Sequence, residues 1–201
     1  MRAIQTVVTI FILAALATSA EAFDGSRKGF SLVFGLGGGS LSADQEWSLL
    51  GQKFALDNSA NGATLNLKIG YGLSDQLLLS YSTTGTTASM ETIDGLIAGS
   101  TDEQDANFTI GGIGLIYYFS AAARSPFIDI ALGISSWDDS ENSFSGGGAS
   151  IGAGYEFKKN WTAEIDYGFG SPSDKEQVFG ETVSAEMTGA TLAFTVNHIW
   201  Y

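Results

Sequence analysis

The sequence predicts an all-β protein, an eight-stranded antiparallel up-and-down transmembrane β-barrel that follows a cleaved signal peptide. Three observations support this fold class. Apolar and polar residues alternate in eight segments, and a period of two residues is typical of β-strands. Short and long connections between the segments alternate, as in barrels with turns on one side of a membrane and loops on the other. Aromatic residues gather near the predicted strand ends, where strands cross the headgroup layers.

The first 22 residues have the features of a secretory signal peptide. Arg2 gives a positive start, and the apolar run over 7–17 is too short to span a bilayer. A small-x-small motif that signal peptidase accepts ends at Ala22. We therefore expect a signal peptide over 1–22, cleaved after Ala22, and a barrel domain over 23–201. An uncleaved anchor helix is the alternative, and the short apolar run argues against it.

The composition excludes several classes of protein. The chain has no cysteine, which rules out a lipoprotein anchor, a disulfide framework and a thiolate metal site. It is 44% hydrophobic, yet no run after the signal reaches the ~18 apolar residues of a transmembrane helix. The net charge of −13 argues against nucleic acid as a partner, because nucleic acid requires a basic face. Most acidic residues lie between the periodic segments, so we expect this charge mainly in loops.

The alternation gives each predicted strand one apolar face and one face of small or polar residues. In the second strand, for example, Leu67 and Ile69 lie on one face and Lys68 on the other. A soluble sandwich would show the same alternation, so the period alone does not identify a membrane barrel. The predicted strands cover 29–41, 63–73, a segment that starts at 77, 107–119, 128–135, 150–157, 161–169 and 189–201.

The connections favour the membrane barrel. An even strand count with alternating short and long connections places both chain ends on the periplasmic side. If Leu73 pairs with Leu77 and Phe157 pairs with Trp161, both tight turns have three residues. Such turns favour a left-handed residue at their end, which Asn160 suits better than the equivalent Gln76 does. The short connections are expected at 74–76, 120–126 and 158–160, and the long ones at 42–62, 87–106, 138–143 and 171–188.

The aromatic residues predict two girdles, one at each membrane interface. Ordinary core aromatic residues are the alternative, which does not explain the clustering at strand ends. The periplasmic girdle would contain Phe30, Tyr71, Phe119, Phe127, Phe157, Trp161 and Trp200, and the external girdle Trp137, Phe144 and Phe169.

At this point the chain resembles the superfamily of small eight-stranded bacterial outer-membrane barrels, which contains the OmpA-like and OmpX-like barrel domains. The residues that carry the resemblance are Arg27-Lys28-Gly29-Phe30 with Gly35, Gly37 and Gly39, then Tyr117-Tyr118-Phe119, and the terminus Ile199-Trp200-Tyr201. The resemblance implies an outer-membrane location, with outer-membrane lipid and lipopolysaccharide as neighbours. It also implies that the barrel-assembly machinery recognises the terminal Tyr201.

The last strand departs from the usual pattern of that superfamily. Tyr201 and Ile199 fit the expected parity, whereas the better apolar face consists of Leu192, Phe194 and Val196 in the opposite parity. Either a bulge near the single histidine, residue 198, shifts the face or the terminal register differs from the usual one.

The residues give little support to catalysis. His198 is the only histidine, and the deacylase branch of outer-membrane barrels has a serine two residues after its histidine, where this chain has Trp200. We therefore expect no catalytic residue, no cofactor and no metal site. Acidic clusters such as Asp138 and Asp139 could bind divalent cations, although solvated loop acids are the simpler interpretation.

Three charged residues are predicted to face the lumen. In the assigned parity, Lys68 points inward from the second strand, and Glu164 and Asp166 point inward from the seventh. A charge in a narrow lumen requires a counter-charge or water. We therefore expect Lys68 to cross the lumen to Asp166 or Glu164 and to plug the barrel. Separate hydration of each charge is the alternative.

Two external loops carry apolar residues. Trp47, Leu50 and Phe54 occur at helical spacing in the first loop, and Ile93, Leu96 and Ile97 occur in the second. Packing on the barrel rim is the expected role, and an apolar binding patch is the alternative.

Three functions follow from these features. An eight-stranded barrel is only about wide enough inside for its own side chains. We therefore expect a structural or binding role, such as adhesion, for four external loops on a membrane anchor, with an external ligand or surface partner. A narrow channel for small or apolar solutes is the alternative, and a lipid-modifying enzyme is disfavoured.

Overall fold

Eight antiparallel strands close into one barrel in the computed structural model, which describes residues 26–49, 52–93, 101–139, 143–178 and 181–201. Each strand pairs with the next, and the first also pairs with the last. No helix in these ranges is long and apolar enough to cross a membrane. The predicted signal peptide lies outside them. The strands are β1 (Gly29–Leu49), β2 (Gln52–Gly72), β3 (Leu77–Ile93), β4 (Thr101–Tyr118), β5 (Pro126–Asp138), β6 (Ser143–Lys158), β7 (Trp161–Val178) and β8 (Glu181–Trp200).

A continuous apolar band surrounds the outside of the barrel. Large apolar side chains at every second position stay exposed, as Ile113 and Leu132 do at 68% and 71%. In water so much exposed apolar surface would be unfavourable, and in lipid it is the expected outer face. We call the end with the short connections the turn end and the opposite end the loop end.

Within the band the outer face of the barrel is apolar and the inner face is polar, whereas nearer the loop end the outer face is polar and the inner face is apolar. The alternation of side chains along each strand continues through both parts. On β1, Leu36 faces out within the band, whereas Ser42 faces out beyond it. On the inner face of the same strand, Ser31 lies near the turn end and Leu41 near the loop end, and both are buried. The part beyond the band is therefore built like a water-soluble barrel, with a polar outside and an apolar inside.

The strands extend much further toward the loop end than the sequence predicts. Most residues of the four predicted long loops lie in strands, and β1 and β2 pair up to Leu49 and Gln52. The helical spacing of apolar residues in the first loop does not correspond to a helix, because Trp47 of β1 pairs with Phe54 of β2. The predicted strands were too short because the apolar residues move to the opposite parity beyond the band. In the sequence, this interruption of the alternating pattern resembles the end of a strand.

The two tight turns differ from one another. Leu73 N–H donates to the Leu77 carbonyl oxygen at 2.9 Å, so the three-residue turn forms as predicted. The Ser74 hydroxyl oxygen accepts hydrogen bonds from the backbone N–H groups of Gln76 and Leu77, and no left-handed residue is needed. The second turn is shorter than predicted, because Lys158 and not Phe157 pairs with Trp161 across a bulge. Asn160 adopts the expected left-handed conformation there, with φ of 67°.

Three aromatic residues of the predicted girdles face the interior. Phe127, Trp137 and Phe144 are buried inside the barrel, because they lie on the inner parity of β5 and β6. Position near a strand end did not distinguish inside from outside. The other predicted girdle residues keep an accessible side chain.

The last strand has no bulge near His198. Its pairing with β1 is continuous from Ser184 to Trp200, so Val196 and His198 stay on the outer parity. Ile199 is therefore buried on the inner face. Of the two interpretations that the sequence left open, the different terminal register is correct.

Candidate functional site in the barrel lumen

Four charged side chains meet in the lumen at the level of the apolar band. Lys68 comes from β2, Asp129 from β5, and Glu164 and Asp166 from β7, and all four are buried. Each faces inward because its neighbours in sequence face lipid, which the alternation of a strand requires. We call these four residues the charged cluster.

Lys68 binds two of the three carboxylates. Its Nζ donates to Asp129 Oδ2 and to Glu164 Oε1. The second oxygen of Glu164 accepts a hydrogen bond of 2.9 Å from Asn197 Nδ2, which also donates to Thr162 Oγ1 at 3.2 Å. Both oxygens of Glu164 are therefore satisfied, and this carboxylate is held firmly in one orientation.

Asp166 is the member of the cluster with an unpartnered carboxylate oxygen. Within the described part of the chain, its buried Oδ2 atom has no hydrogen-bond partner. The opposite residue on β6 is Gly152, whose Cβ, if it had one, would lie 2.4 Å from Oδ1 of both Asp166 and Asp129. The glycine therefore makes room for two carboxylates to approach each other.

A layer of hydroxyl groups lies next to the cluster on its loop-end side. Thr86 Oγ1 is 3.0 Å from Thr64 Oγ1 and 3.0 Å from Thr191 Oγ1. The three threonines are buried and come from β3, β2 and β8. They bridge the lumen with neutral hydrogen bonds, so the barrel is filled at this depth too.

An apolar core closes the lumen near the loop end. Phe108 and Trp137 lie at its centre with ring centroids 6.4 Å apart, and both are almost completely buried. We call this group the loop-end core. Its members are Leu41, Ala43, Ala88, Met90, Ala106, Phe108, Ile110, Trp137, Phe144 and Met187.

Arg27 closes the opposite end. Its guanidinium is buried and forms an ion pair of 2.5 Å with Glu156 Oε2. It also donates to the carbonyl oxygens of Asp75, Ser120 and Ala122, each at 2.9 Å. One side chain thus joins the segment before β1 to the β2–β3 turn, to the connection between β4 and β5, and to β6.

Two tyrosines lie beside this arginine. Its guanidinium carbon lies 4.0 Å from the centre of the Tyr118 ring, a cation–π contact. The Tyr118 hydroxyl is 3.1 Å from the Tyr201 hydroxyl. Burial raises the pKa of Tyr201 to about 12, so this hydroxyl stays protonated at neutral pH. The C-terminal aromatic residue therefore packs into the turn end of the lumen.

Asp75, in the turn between β2 and β3, binds the residues just before β1. It accepts hydrogen bonds from the Ser26 hydroxyl at 2.8 Å and from the Arg27 backbone N–H at 3.0 Å. These hydrogen bonds hold the pKa of Asp75 below its usual value. An ionised Asp75 therefore fixes the chain just before β1 at neutral pH.

His198 lies apart from all of these groups, on the outer face. Its ring packs between Trp161 and Trp200, with ring centroids 4.9 Å and 4.3 Å away. Its Nδ1 has no hydrogen-bond partner among the described residues. An arrangement of this kind suits a membrane interface.

The structure brings together the lumen residues that the sequence singled out, and it adds others. Lys68 and Glu164 are in contact, whereas Asp166 lies beside them without a bond to Lys68. Sequence reasoning missed Asp129 and Arg27. The inner parity of Asp129 was visible in β5, but Arg27 precedes the first strand and no alternation marks it.

The predicted loop patch is only partly within the described residues. Leu50, Leu96 and Ile97 lie outside them. Trp47, Phe54 and Ile93 lie in strands, where only their backbone is described. The patch therefore remains a prediction.

Comparisons with known proteins agree on the fold. No protein-family model and no curated protein matches the chain. Among solved structures, OprG of Pseudomonas aeruginosa matches with a TM-score of 0.56 and 11% identity, over 90% of this chain and 100% of that one. The outer-membrane protein AlkL matches with a TM-score of 0.53 and 14% identity, over 89% of this chain and 93% of that one.

These likenesses, together with the closed sheet, confirm the predicted fold class. The chain has the fold of the small eight-stranded outer-membrane β-barrels. At such low identity the likeness extends to the fold and not to activity.

Proposed function

We propose that this protein is a closed barrel of the bacterial outer membrane that presents its loop end at the cell surface for binding. The apolar outer band supports the location, and the filled lumen supports the absence of a pore. The turn end then faces the periplasm, and the polar outer wall beyond the band faces the medium. We assign it no catalytic step, because its single histidine packs between two indole rings on the outside.

The observation that carries this proposal is the filling of the lumen at successive depths. Arg27 and its partners occupy the turn end, the charged cluster and the threonine layer occupy the middle, and the loop-end core occupies the rest. A cavity beside Lys68 measures about 10 Å³, which is room for about one water molecule. An ion would have to displace several buried side chains to pass.

We expect purified protein in planar lipid bilayers to give no discrete conductance steps. Each layer of the lumen is hydrogen-bonded or packed, so a hydrated ion finds no continuous path. The measurement is single-channel recording in 1 M KCl, with bilayers that received detergent alone as the control. Reproducible steps that scale with protein concentration would contradict a closed barrel.

The outer wall beyond the band is the proposed binding surface. Its exposed side chains are acids, amides and hydroxyls, and they lie on strands that continue past the band. The described members include Ser40, Ser42, Asp44, Ser59, Asn61, Thr87, Ser89, Asp105, Asn107 and Asp138. Rigid strands hold such groups in a defined arrangement, so they can recognise a partner more specifically than the same groups on a flexible loop could.

Shortening one hairpin tests this role without opening the barrel. Asp44 pairs with Asp57, so removal of residues 44–57 and closure by an Asn-Gly turn keeps the register of the remaining hairpin. We expect cells that carry the shortened protein to attach less to epithelial monolayers than cells that carry the full protein. The control is an unchanged heat-dependent gel shift, which reports an intact barrel. Equal attachment by both proteins would argue against binding by this hairpin.

A channel for small apolar solutes is the second candidate, and the loop-end core is the observation that favours it. An apolar molecule could replace contacts of Phe108 or Trp137 more readily than an ion could. Saturable quenching of tryptophan fluorescence by toluene, together with transport of toluene into vesicles, would favour this candidate over the closed barrel.

A further inference from the structure

The charged cluster contains more negative than positive charge. Three carboxylates surround one ammonium group, and Lys68 contacts only Asp129 and Glu164. In the described ranges the other buried base is Arg27, which is paired with Glu156 at the turn end. The cluster therefore has two negative charges more than its own cation neutralises, and a buried site does not tolerate such an excess without compensation.

The carboxylates are close enough to share one ion. One oxygen from each of Asp129, Glu164 and Asp166 lies within 4.8 Å of the others. Calcium–oxygen distances are about 2.3–2.6 Å, so two oxygens on one calcium ion are separated by roughly 5 Å or less. The unpartnered Oδ2 of Asp166 supplies a buried ligand atom that no other described group uses.

The cavity beside the cluster offers further oxygen ligands. Asp129 and Asp166 line it together with Lys68, and the hydroxyl-bearing residues around it are Ser80, Ser82, Thr84 and Ser150. The hydroxyl groups come from β3 and β6 and the two carboxylates from β5 and β7, so no single strand sets the geometry of these ligands. Calcium tolerates about six to eight oxygen ligands in irregular arrangements, whereas magnesium demands a near-octahedral shell and keeps its waters. A cavity of about 10 Å³ does not hold such a hydrated ion.

Gly152 makes this convergence possible. A side chain at this position would occupy the space between the carboxylates of Asp129 and Asp166, at 2.4 Å from an oxygen of each. Since the neighbouring inner positions of β7 carry acids, a glycine on β6 keeps the acids accessible to a common ligand.

We propose that the charged cluster binds one hard divalent cation of the calcium class, held by Asp129 and Asp166 with hydroxyl oxygens from the cavity wall. Glu164 stays with Lys68 and Asn197, which orient it beside the ion. One divalent ion together with Lys68 neutralises the three carboxylates. The oxygen-only ligand set disfavours zinc, copper and nickel, which prefer nitrogen or sulfur ligands. The ion would tie β5 to β7 across the intervening strand β6, independently of what the loop end binds.

Calcium titration of the purified barrel tests this proposal. The protein is stripped with a chelator in detergent, and its melting temperature is followed as CaCl₂, MgCl₂ or NaCl is added at matched ionic strength. Because a ligand of the folded state stabilises it, we expect a saturable rise with calcium and a smaller one with magnesium. Calorimetry should give one calcium ion per chain.

Two variants locate the ion. Asp166→Asn should remove the calcium-dependent rise, whereas Asp138→Asn, a change at an exposed acid of β5, should keep it. If Asp166→Asn does not fold, Gly152→Ala serves instead, because it obstructs the site and removes no ligand atom. Three results would overturn the proposal: an equal calcium response in wild type and Asp166→Asn, equal stabilisation by NaCl, or no response to any cation. In the last case, a pH-dependent melting temperature would mean that a shared proton neutralises the carboxylates.

Discussion

Replacement of Lys68 by methionine is expected to lower the free energy of unfolding by about 3–5 kcal/mol, the usual cost of removing one partner of a buried ion pair. Methionine keeps most of the length of the lysine side chain and removes its charge. Asp129 and Glu164 would then face each other in the lumen without their common donor. The measurement is the melting temperature of the folded barrel in detergent, read from the heat-dependent gel shift and from circular dichroism.

The partner of Lys68 can be identified by double substitution. In the Lys68→Met background, Glu164→Gln should restore part of the lost stability, because it removes a buried charge and keeps a hydrogen-bonding group toward Asn197. Lys158→Met, at an exposed lysine of β6, is the matched control and should leave the melting temperature nearly unchanged. A Lys68→Met protein as stable as the wild type would mean that the ammonium group does not compensate the carboxylates.

Replacement of Arg27 by methionine should have an effect of similar size at the other end of the barrel. The substitution leaves the buried Glu156 carboxylate without its ion pair, which costs about 3–5 kcal/mol. It also removes the hydrogen bonds to three carbonyl oxygens of the β2–β3 and β4–β5 connections and the contact with the Tyr118 ring. We expect a lower melting temperature and faster proteolysis at the turns between β2 and β3 and between β4 and β5.

The neighbouring lysine provides the control for this prediction. Lys28 is exposed, and its Nζ lies 3.7 Å from Asp75 Oδ2, so Lys28→Met should change stability by less than about 1 kcal/mol. Glu156→Gln combined with Arg27→Met should recover part of the loss, because the buried charge is then absent. If Lys28→Met and Arg27→Met had equal effects, the buried ion pair would not be the cause.

The sequence by itself determined the class of the fold and the direction of many side chains. Alternation with a period of two gave eight strands, and the lengths of the connections gave their order around the barrel. Lys68 could be placed inside because Leu67 and Ile69 on either side of it are apolar. These properties are local, since the pleat of a strand sends neighbouring side chains to opposite faces whatever the rest of the chain does.

The partners across the lumen could not be predicted in the same way. The sequence gives the depth of a residue along its own strand, but strand tilt and the stagger of the barrel decide which residues meet at the centre. For that reason Asp129, and not Asp166, joins Glu164 at Lys68. Arg27 is a stronger example, because it lies before the first strand and its side chain is held in the lumen by contacts with three distant segments.

The length of the strands also depended on the tertiary structure. Toward the loop end the strands continue with unchanged alternation, yet Leu41 faces inward where Leu36 faced outward. A sequence shows which residues are apolar but not which solvent surrounds each part of the wall. Lipid favours apolar residues on the outer face and water favours them on the inner face. The apolar positions of the alternating pattern therefore face outward within the membrane and inward beyond it.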